Sequence, residues 1–148
     1  MLTRRMTIAA LALLGAILAL YLTLYKAGAI GELSCSVGKC EVVNTSRWSV
    51  LWGLPVAAWG LGFYVVLFAL ALMGTAERFA DARWVPPALL ALTGWGVLFS
   101  GWLTYLELFV IRAICMWCVA SAVVVTLAFA IALLEWRAGK SSAVDAGT

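Results

Sequence analysis

Residues 113–134 have the sequence AICMWCVASAVVVTLAFAIALL, an uncharged run that contains a Cys-x-x-Cys pair, Cys115 and Cys118. A helix that crosses the hydrocarbon core of a bilayer needs about 20 mainly apolar residues. The run is therefore predicted to be a membrane-spanning helix with two cysteines near its start. Arg112, directly before the run, is predicted to mark a tight turn.

Three other long apolar runs precede this one, at residues 6–25, 55–73 and 86–110. Of the 148 residues in the chain, 66% are apolar and 11% are charged, whereas about 25% of residues are charged in a soluble domain. These proportions exclude a soluble globular domain and a disordered chain. They predict an all-α integral membrane protein, with four transmembrane helices in a single domain at residues 1–148.

The glycines of the second and third runs predict close helix packing, because small residues let membrane helices approach each other. They are Gly60, Gly62, Gly94, Gly96 and Gly101. The first run has an alternative interpretation as a cleaved signal peptide, since residues 27–29 resemble a cleavage site. It is longer than the apolar core of a typical signal peptide, so a retained helix is favoured.

The longest polar stretch between runs is residues 26–54, in which apolar residues, two of them tryptophan, interleave with polar ones. This pattern predicts a short helix in the membrane interface, within the first outer loop. After the fourth run, residues 135–148 are predicted to be a flexible cytoplasmic tail.

The basic residues predict the orientation, because cytoplasmic loops carry more lysine and arginine. The side with more of them has Arg4, Arg5, Arg78, Arg83, Arg137 and Lys140, and the other has Lys26, Lys39, Arg47 and Arg112. Both termini are therefore predicted to be cytoplasmic. All four cysteines then face the outer side, where disulfides form and persist. The net charge of +3 gives no reason to expect a nucleic acid partner.

The cysteines form two pairs, Cys35 with Cys40 in the outer loop and Cys115 with Cys118 at a helix start. A helix N-terminus stabilises negative charge, so we expect a lowered thiol pKa at Cys115, in a chain that has no histidine. Two such pairs predict a relay by thiol–disulfide exchange. Two alternatives remain: inert structural disulfides, or a zinc site made of four thiolates.

A relay needs a terminal electron acceptor, and the chain has neither a dinucleotide or flavin fingerprint nor a histidine for haem. By elimination, we expect a lipid-soluble quinone that meets Cys118, one helical turn deeper than Cys115. Glu107 is interpreted either as a proton donor to this quinone or as an interfacial charge that reaches water or pairs with Arg112. Trp59, Phe63 and Trp117 either line the quinone pocket or pack between helices.

The order of motifs resembles the vitamin K epoxide reductase family, particularly its bacterial members. The motifs are Cys35 and Cys40, then NTSRW at 44–48, WGLP at 52–55, YLELFVI at 105–111 and the pair Cys115 and Cys118. The resemblance covers about residues 6–135. The unrelated DsbB-like quinone reductases have the cysteine pairs in the opposite order.

The resemblance implies a four-helix bundle around a quinone, which is menaquinone, ubiquinone or a vitamin K-type compound. It implies that Cys35 and Cys40 are the shuttle pair, that Cys40 exchanges with Cys115, and that Cys118 faces the quinone. Ser46 matches a family serine or threonine near the site, and is equally well interpreted as a helix N-cap. The residues expected to bind the quinone are Val56, Trp59, Ile111 and Ala122.

Val56 and Ala122 stand where the vertebrate enzymes have an asparagine and a tyrosine that hold the quinone oxygens. Neither side chain forms hydrogen bonds, which puts epoxide reduction in doubt. We therefore expect a thiol–quinone oxidoreductase of the bacterial inner membrane. Its expected electron donor is a separate extracytoplasmic thioredoxin-like (DsbA-like) protein, since no such domain is fused here. The alternatives are a vitamin K quinone or epoxide reductase, and a non-enzymatic membrane subunit.

Overall fold

The fold was analysed in a computed structural model, which describes residues 2–26, 28, 47, 50–79 and 81–147. Four long helices account for most of these residues. Helix α1 comprises Leu2–Lys26, α2 Val56–Met73, α3 Val85–Tyr105 and α4 Met116–Gly147. A π-helical turn, Leu106–Ile111, continues α3. All four are long and apolar enough to cross a membrane, so the predicted all-α membrane fold with four transmembrane helices is confirmed.

The helices pack with α1 against α2 and α4, and with α3 against α4. The buried core contains many small side chains, such as Ala9, Ala12, Ala71, Ala128 and Ala132. Small residues bring helix backbones close together in a bilayer, where hydrophobic burial between helices contributes little. The outward faces expose large apolar side chains instead, among them Ile17, Val66 and Leu98. Such a surface suits contact with the lipid chains of a bilayer.

Two helix starts agree with the positions of the prolines. Pro55 is the residue before α2, and Pro86 and Pro87 occupy the first turn of α3. Proline suits this turn because the backbone N–H that it lacks would have no partner inside the helix at that position.

The chain enters α2 through a small antiparallel hairpin, in which β1 (Val50–Leu51) pairs with β2 (Leu54–Pro55). Both residues of its turn have positive φ, 53° at Trp52 and 81° at Gly53. This geometry is that of a two-residue hairpin turn. The predicted interfacial helix is therefore wrong at Val50–Leu51, and the remainder of that helix lies outside the described residues.

The fourth helix differs from its predicted limits at both ends. It begins at Met116 rather than at Ala113, and it continues unbroken to Gly147. Glu135, which was expected to open a flexible polar tail, is fully buried. It accepts a hydrogen bond from Arg5 of α1 in a buried ion pair. The polarity of Glu135 thus reflects a partner inside the bundle rather than the end of the helix.

Candidate active site

The Cys-x-x-Cys pair lies where the chain reverses direction between α3 and α4. Cys115 is the residue before α4 and is fully buried, and Cys118 lies in the first turn and is partly buried. Cys115 packs in an apolar cluster with Leu22 of α1 and Ala113. Both thiols are reduced, and their side chains form a hydrogen bond with each other.

The reversal depends on the π-helical turn and on Arg112, which has a left-handed conformation with φ 57°. The backbone N–H groups of Arg112 and Ala113 both donate to the carbonyl oxygen of Glu107. The chain is thereby folded back toward Glu107. As a result, the N–H of Cys115 donates to the Glu107 carboxylate, with 3.3 Å between nitrogen and Oε2.

The surroundings of Cys115 favour its thiolate form. Hydrogen bonding from the Cys118 side chain lowers the pKa of Cys115 to about 7, and the backbone N–H groups of Cys118 and Trp117 act in the same direction. Burial and the charge of Glu107 oppose this effect but do not outweigh it. The pKa lies below its ordinary value, in the direction that the sequence predicts for a cysteine at a helix N-terminus.

A cavity of about 820 Å³ lies beside the pair, lined by residues of all four helices and of the hairpin. Cys118 and Glu107 are on its wall, whereas Cys115 is not. Trp52 and Trp59 lie at the hairpin end, where the Trp59 indole N–H donates to the Leu51 carbonyl at 3.0 Å. The cavity is within the range of volumes that ligand pockets have, about 300–1,000 Å³.

Three of the four residues expected at the quinone, Val56, Trp59 and Ile111, do line this cavity. Ala122 does not, because the face of α4 toward the cavity carries Cys118, Ser121 and Val125. Each residue turns the helix by about 100°, and Ala122 follows Ser121 out of that face. Cys35, Cys40 and Ser46 lie outside the described residues, so their predicted roles stay predictions.

Of the other aromatic candidates, Phe63 also lines the cavity. Trp117 packs against Tyr21 of α1, with 5.0 Å between ring centroids. Glu107 does not reach water, since it is only 4% exposed. No ion pair joins it to Arg112 in the part of the chain that the structure describes. The interpretation of Glu107 as an exposed interfacial charge is therefore wrong.

A polar contact deeper in the cavity has no counterpart in the predictions. The Tyr64 hydroxyl lies 2.7 Å from the Ser121 hydroxyl and donates to the Ser121 carbonyl at 2.9 Å. Both residues line the cavity. Ser121 was detectable from the sequence, because a residue three positions after Cys118 shares its helix face. Nothing in the sequence indicates that Tyr64 is its partner.

The sequence model of the vitamin K epoxide reductase family matches residues 6–133, which is most of the chain. The matched range includes all four cysteines, the hairpin and the π-helical turn.

Proposed function

Because this chain belongs to the vitamin K epoxide reductase family, it is a membrane oxidoreductase of thiol and quinone chemistry, and we propose that it oxidises a thioredoxin-like protein and reduces a quinone. Electrons enter the chain at Cys35 and Cys40 in the outer loop. They pass to Cys115 through a mixed disulfide with Cys40. The pair Cys115 and Cys118 then becomes a disulfide as two electrons go to the quinone.

One observation carries this proposal: the two helix-start cysteines have different surroundings that suit different tasks. Cys118 is on the cavity wall, and Cys115 is behind it with a pKa lowered to about 7. A thiol whose pKa is close to the ambient pH is well suited to exchange with another disulfide. Cys115 therefore suits exchange with Cys40, and Cys118 suits contact with the quinone.

The cavity fits a quinone in size and in chemistry. It is mainly apolar, with a few polar side chains such as Glu107, Thr104 and Ser121 on its wall. Pockets for small ligands combine an apolar lining with a few placed polar groups in this way. Val56 on the same wall offers no hydrogen bond, which favours plain quinone reduction over epoxide reduction. Bound there, the quinone supplies the two-electron acceptor for the cysteine pair.

The electron donor in this proposal is a separate thioredoxin-like protein on the outer face of a bacterial inner membrane. The distribution of basic residues supports this orientation. Oxidation of such a donor supports disulfide formation in secreted proteins, which takes place in an oxidising compartment.

The test is quinone reduction by the purified protein with a reduced thioredoxin-like donor, with ubiquinone and menaquinone assayed separately. The Cys118→Ala variant is expected to lose nearly all turnover. It is also expected to accumulate a Cys40–Cys115 disulfide, detectable by mass spectrometry, because the thiol that would resolve this bond is missing. The control is Val119→Ala, which alters an exposed side chain on the same helical turn.

Continued turnover by Cys118→Ala would contradict the relay. Inert structural disulfides make a different prediction, which thiol trapping tests in the wild-type protein. Structural disulfides stay oxidised when quinone is withdrawn, whereas the cysteines of a relay become reduced by the donor.

A further inference from the structure

Glu107 is a buried carboxyl group in the membrane part of the protein, and its partners there are the two cysteines. It is 4% exposed and lines the cavity. Its carboxylate accepts the N–H of Cys115 at 3.3 Å, and it stands beside Cys115 as the second acceptor within reach of the single proton of the Cys118 thiol. Among the described residues, no cation forms an ion pair with it.

Such a group is costly to bury, because a charge inside a membrane protein is expensive unless it is paired. A purely structural acceptor for the Cys115 N–H does not need a charge, since the carbonyl oxygen of a glutamine would serve as well. The carboxyl group differs from an amide in one respect that matters here, which is that it takes up and releases a proton.

The proposed reaction requires such a group beside Cys118. Oxidation starts from a thiolate at Cys115 and a thiol at Cys118, and it ends with a disulfide. The S–H bond of Cys118 breaks as the S–S bond forms, and two electrons leave to the quinone. The Cys118 proton therefore needs an acceptor, and the quinone needs two protons to become a hydroquinone.

We propose that Glu107 is the catalytic proton acceptor for the Cys118 thiol and passes this proton to an oxygen of the quinone in the cavity. The inference rests on the proposed function. Glu107 starts each turnover as a carboxylate and ends it as a carboxylate. The second quinone proton comes from water and replaces the one that Cys115 lost on forming its thiolate. In the net reaction, one thiolate, one thiol, one quinone and one proton react to give one disulfide and one hydroquinone.

The test uses Glu107→Gln in a single-turnover measurement of quinone reduction by the fully reduced protein. The amide keeps the size of the side chain and an acceptor for the Cys115 N–H, but it takes up no proton. We expect the rate to fall by about 100-fold, since proton transfer by a positioned side chain contributes about 10²–10⁴-fold. The control is Glu77→Gln, the same change at an exposed acid outside the four helices.

The direction in which Glu107→Gln changes the single-turnover rate distinguishes proton transfer from a purely electrostatic role. A negative charge beside Cys118 opposes the development of thiolate charge there, so loss of that charge alone makes Glu107→Gln faster. A rate equal to or above that of the wild type overturns the proposal. If Cys118→Ala also retains quinone reduction in the same assay, the proposed function itself fails. If Cys118→Ala is inactive while Glu107→Gln reacts at the wild-type rate, the proposed function stands and only the role of Glu107 is wrong.

A second measurement needs neither quinone nor turnover. Infrared difference spectra are recorded while ferricyanide, an oxidant that takes up electrons but no protons, oxidises the reduced, quinone-free protein. With no quinone to receive it, the proton stays on Glu107, so a protonated carboxyl band is expected to appear in the wild type and in Glu77→Gln. The band is expected to be absent in Glu107→Gln. A wild-type spectrum without such a band overturns the proposal, since a residue that only holds the backbone changes no protonation.

Discussion

Cys115 and Cys118 have the same side chain, and what distinguishes them is the direction of the hydrogen bond between them. Cys118 donates to Cys115, and the first N–H groups of α4 also favour charge on Cys115. In the proposed relay, Cys115 is thereby prepared as the nucleophile, while Cys118 keeps its proton until the oxidation step. A helix terminus and a neighbouring thiol replace the histidine that activates cysteines in many enzymes.

This arrangement predicts how substitutions at position 118 change the titration of Cys115. In a background of Cys35→Ser and Cys40→Ser, both Cys118→Ala and Cys118→Ser leave Cys115 as the single thiol. We expect the serine variant to keep the Cys115 pKa at about 7, because its hydroxyl donates as the thiol did. The alanine variant removes the largest cause of the lowered pKa, so its pKa is expected to be higher. Thiolate absorbance against pH measures both, and equal midpoints would contradict this assignment.

The sequence predicted the positions of the individual side chains unevenly. The position of Cys118 followed from helix geometry alone, because one turn of α4 carries it from the helix start toward the membrane interior. The burial of Glu107 did not follow, because a charged residue near a helix end normally reaches water. The chain reverses after Ile111 and folds back toward Glu107, and this reversal depends on a π-helical turn and on the left-handed conformation of Arg112, which the composition does not reveal.

At the level of the elements, the long helices were predictable and the short connections were not. Long apolar runs predict the spans, because a helix bonds its backbone groups internally, as a membrane requires. The glycines of those spans were less informative. A side chain at Gly96 would collide with Phe63 and Val125, whereas Gly62 and Gly101 have open space around them. The hairpin at residues 50–55 and the continuation of α4 past Glu135 depend on partners that local composition does not reveal.

The turn at Arg112 gives a prediction about backbone conformation. Arg112→Gly and Arg112→Val both remove the charge, but only glycine adopts the left-handed conformation without cost. We expect the glycine variant to unfold at or above the wild-type midpoint in detergent. The valine variant is expected to be less stable than the glycine variant by about 1–2 kcal/mol in its free energy of unfolding, which is the cost of a left-handed L-residue. Equal stabilities would show that the turn does not depend on the backbone conformation at position 112.

The contact between α1 and α2 gives a second prediction for the elements. A Cβ atom at Gly15 would lie 2.3 Å from the ring of Tyr64, so Gly15→Ala displaces the residue that bonds Ser121. We expect a loss of about 1–3 kcal/mol in the free energy of unfolding, as is typical of overpacking. The matched control is Gly101→Ala, where nothing lies within 4 Å. That variant is expected to be neutral or slightly stabilised, since alanine favours helices over glycine. Similar losses in both would contradict the close contact.

In the whole molecule, polar groups gather at the two ends of the bundle. The hairpin, Glu107 and the two cysteines lie where α1 ends and α2 begins. At the opposite end, Arg5 of α1 donates both to Glu135 of α4 and to the carbonyl of Gly74 after α2. The cluster of Arg5, Glu135 and Gly74 thus joins three separate parts of the chain. The residues that hold the helices together at that end are different from those that line the cavity at the other end, so the bundle is closed at one end and has a cavity at the other.

The Arg5–Glu135 pair predicts a difference between single and double substitution. Glu135→Leu alone leaves the guanidinium of Arg5 buried without its carboxylate, and loss of one partner of a buried ion pair costs about 3–5 kcal/mol. The combined Arg5→Met and Glu135→Leu variant leaves no unpaired charge and is expected to recover most of this loss. The free energies of unfolding of the wild type, the single variants and the double variant are measured in detergent, with the exposed Arg83→Gln as the control. Additive losses would show that the two side chains stabilise the bundle independently. The proposed quinone reduction at the far end is expected to keep its single-turnover rate in the double variant, because none of the residues that line the cavity contributes to this pair.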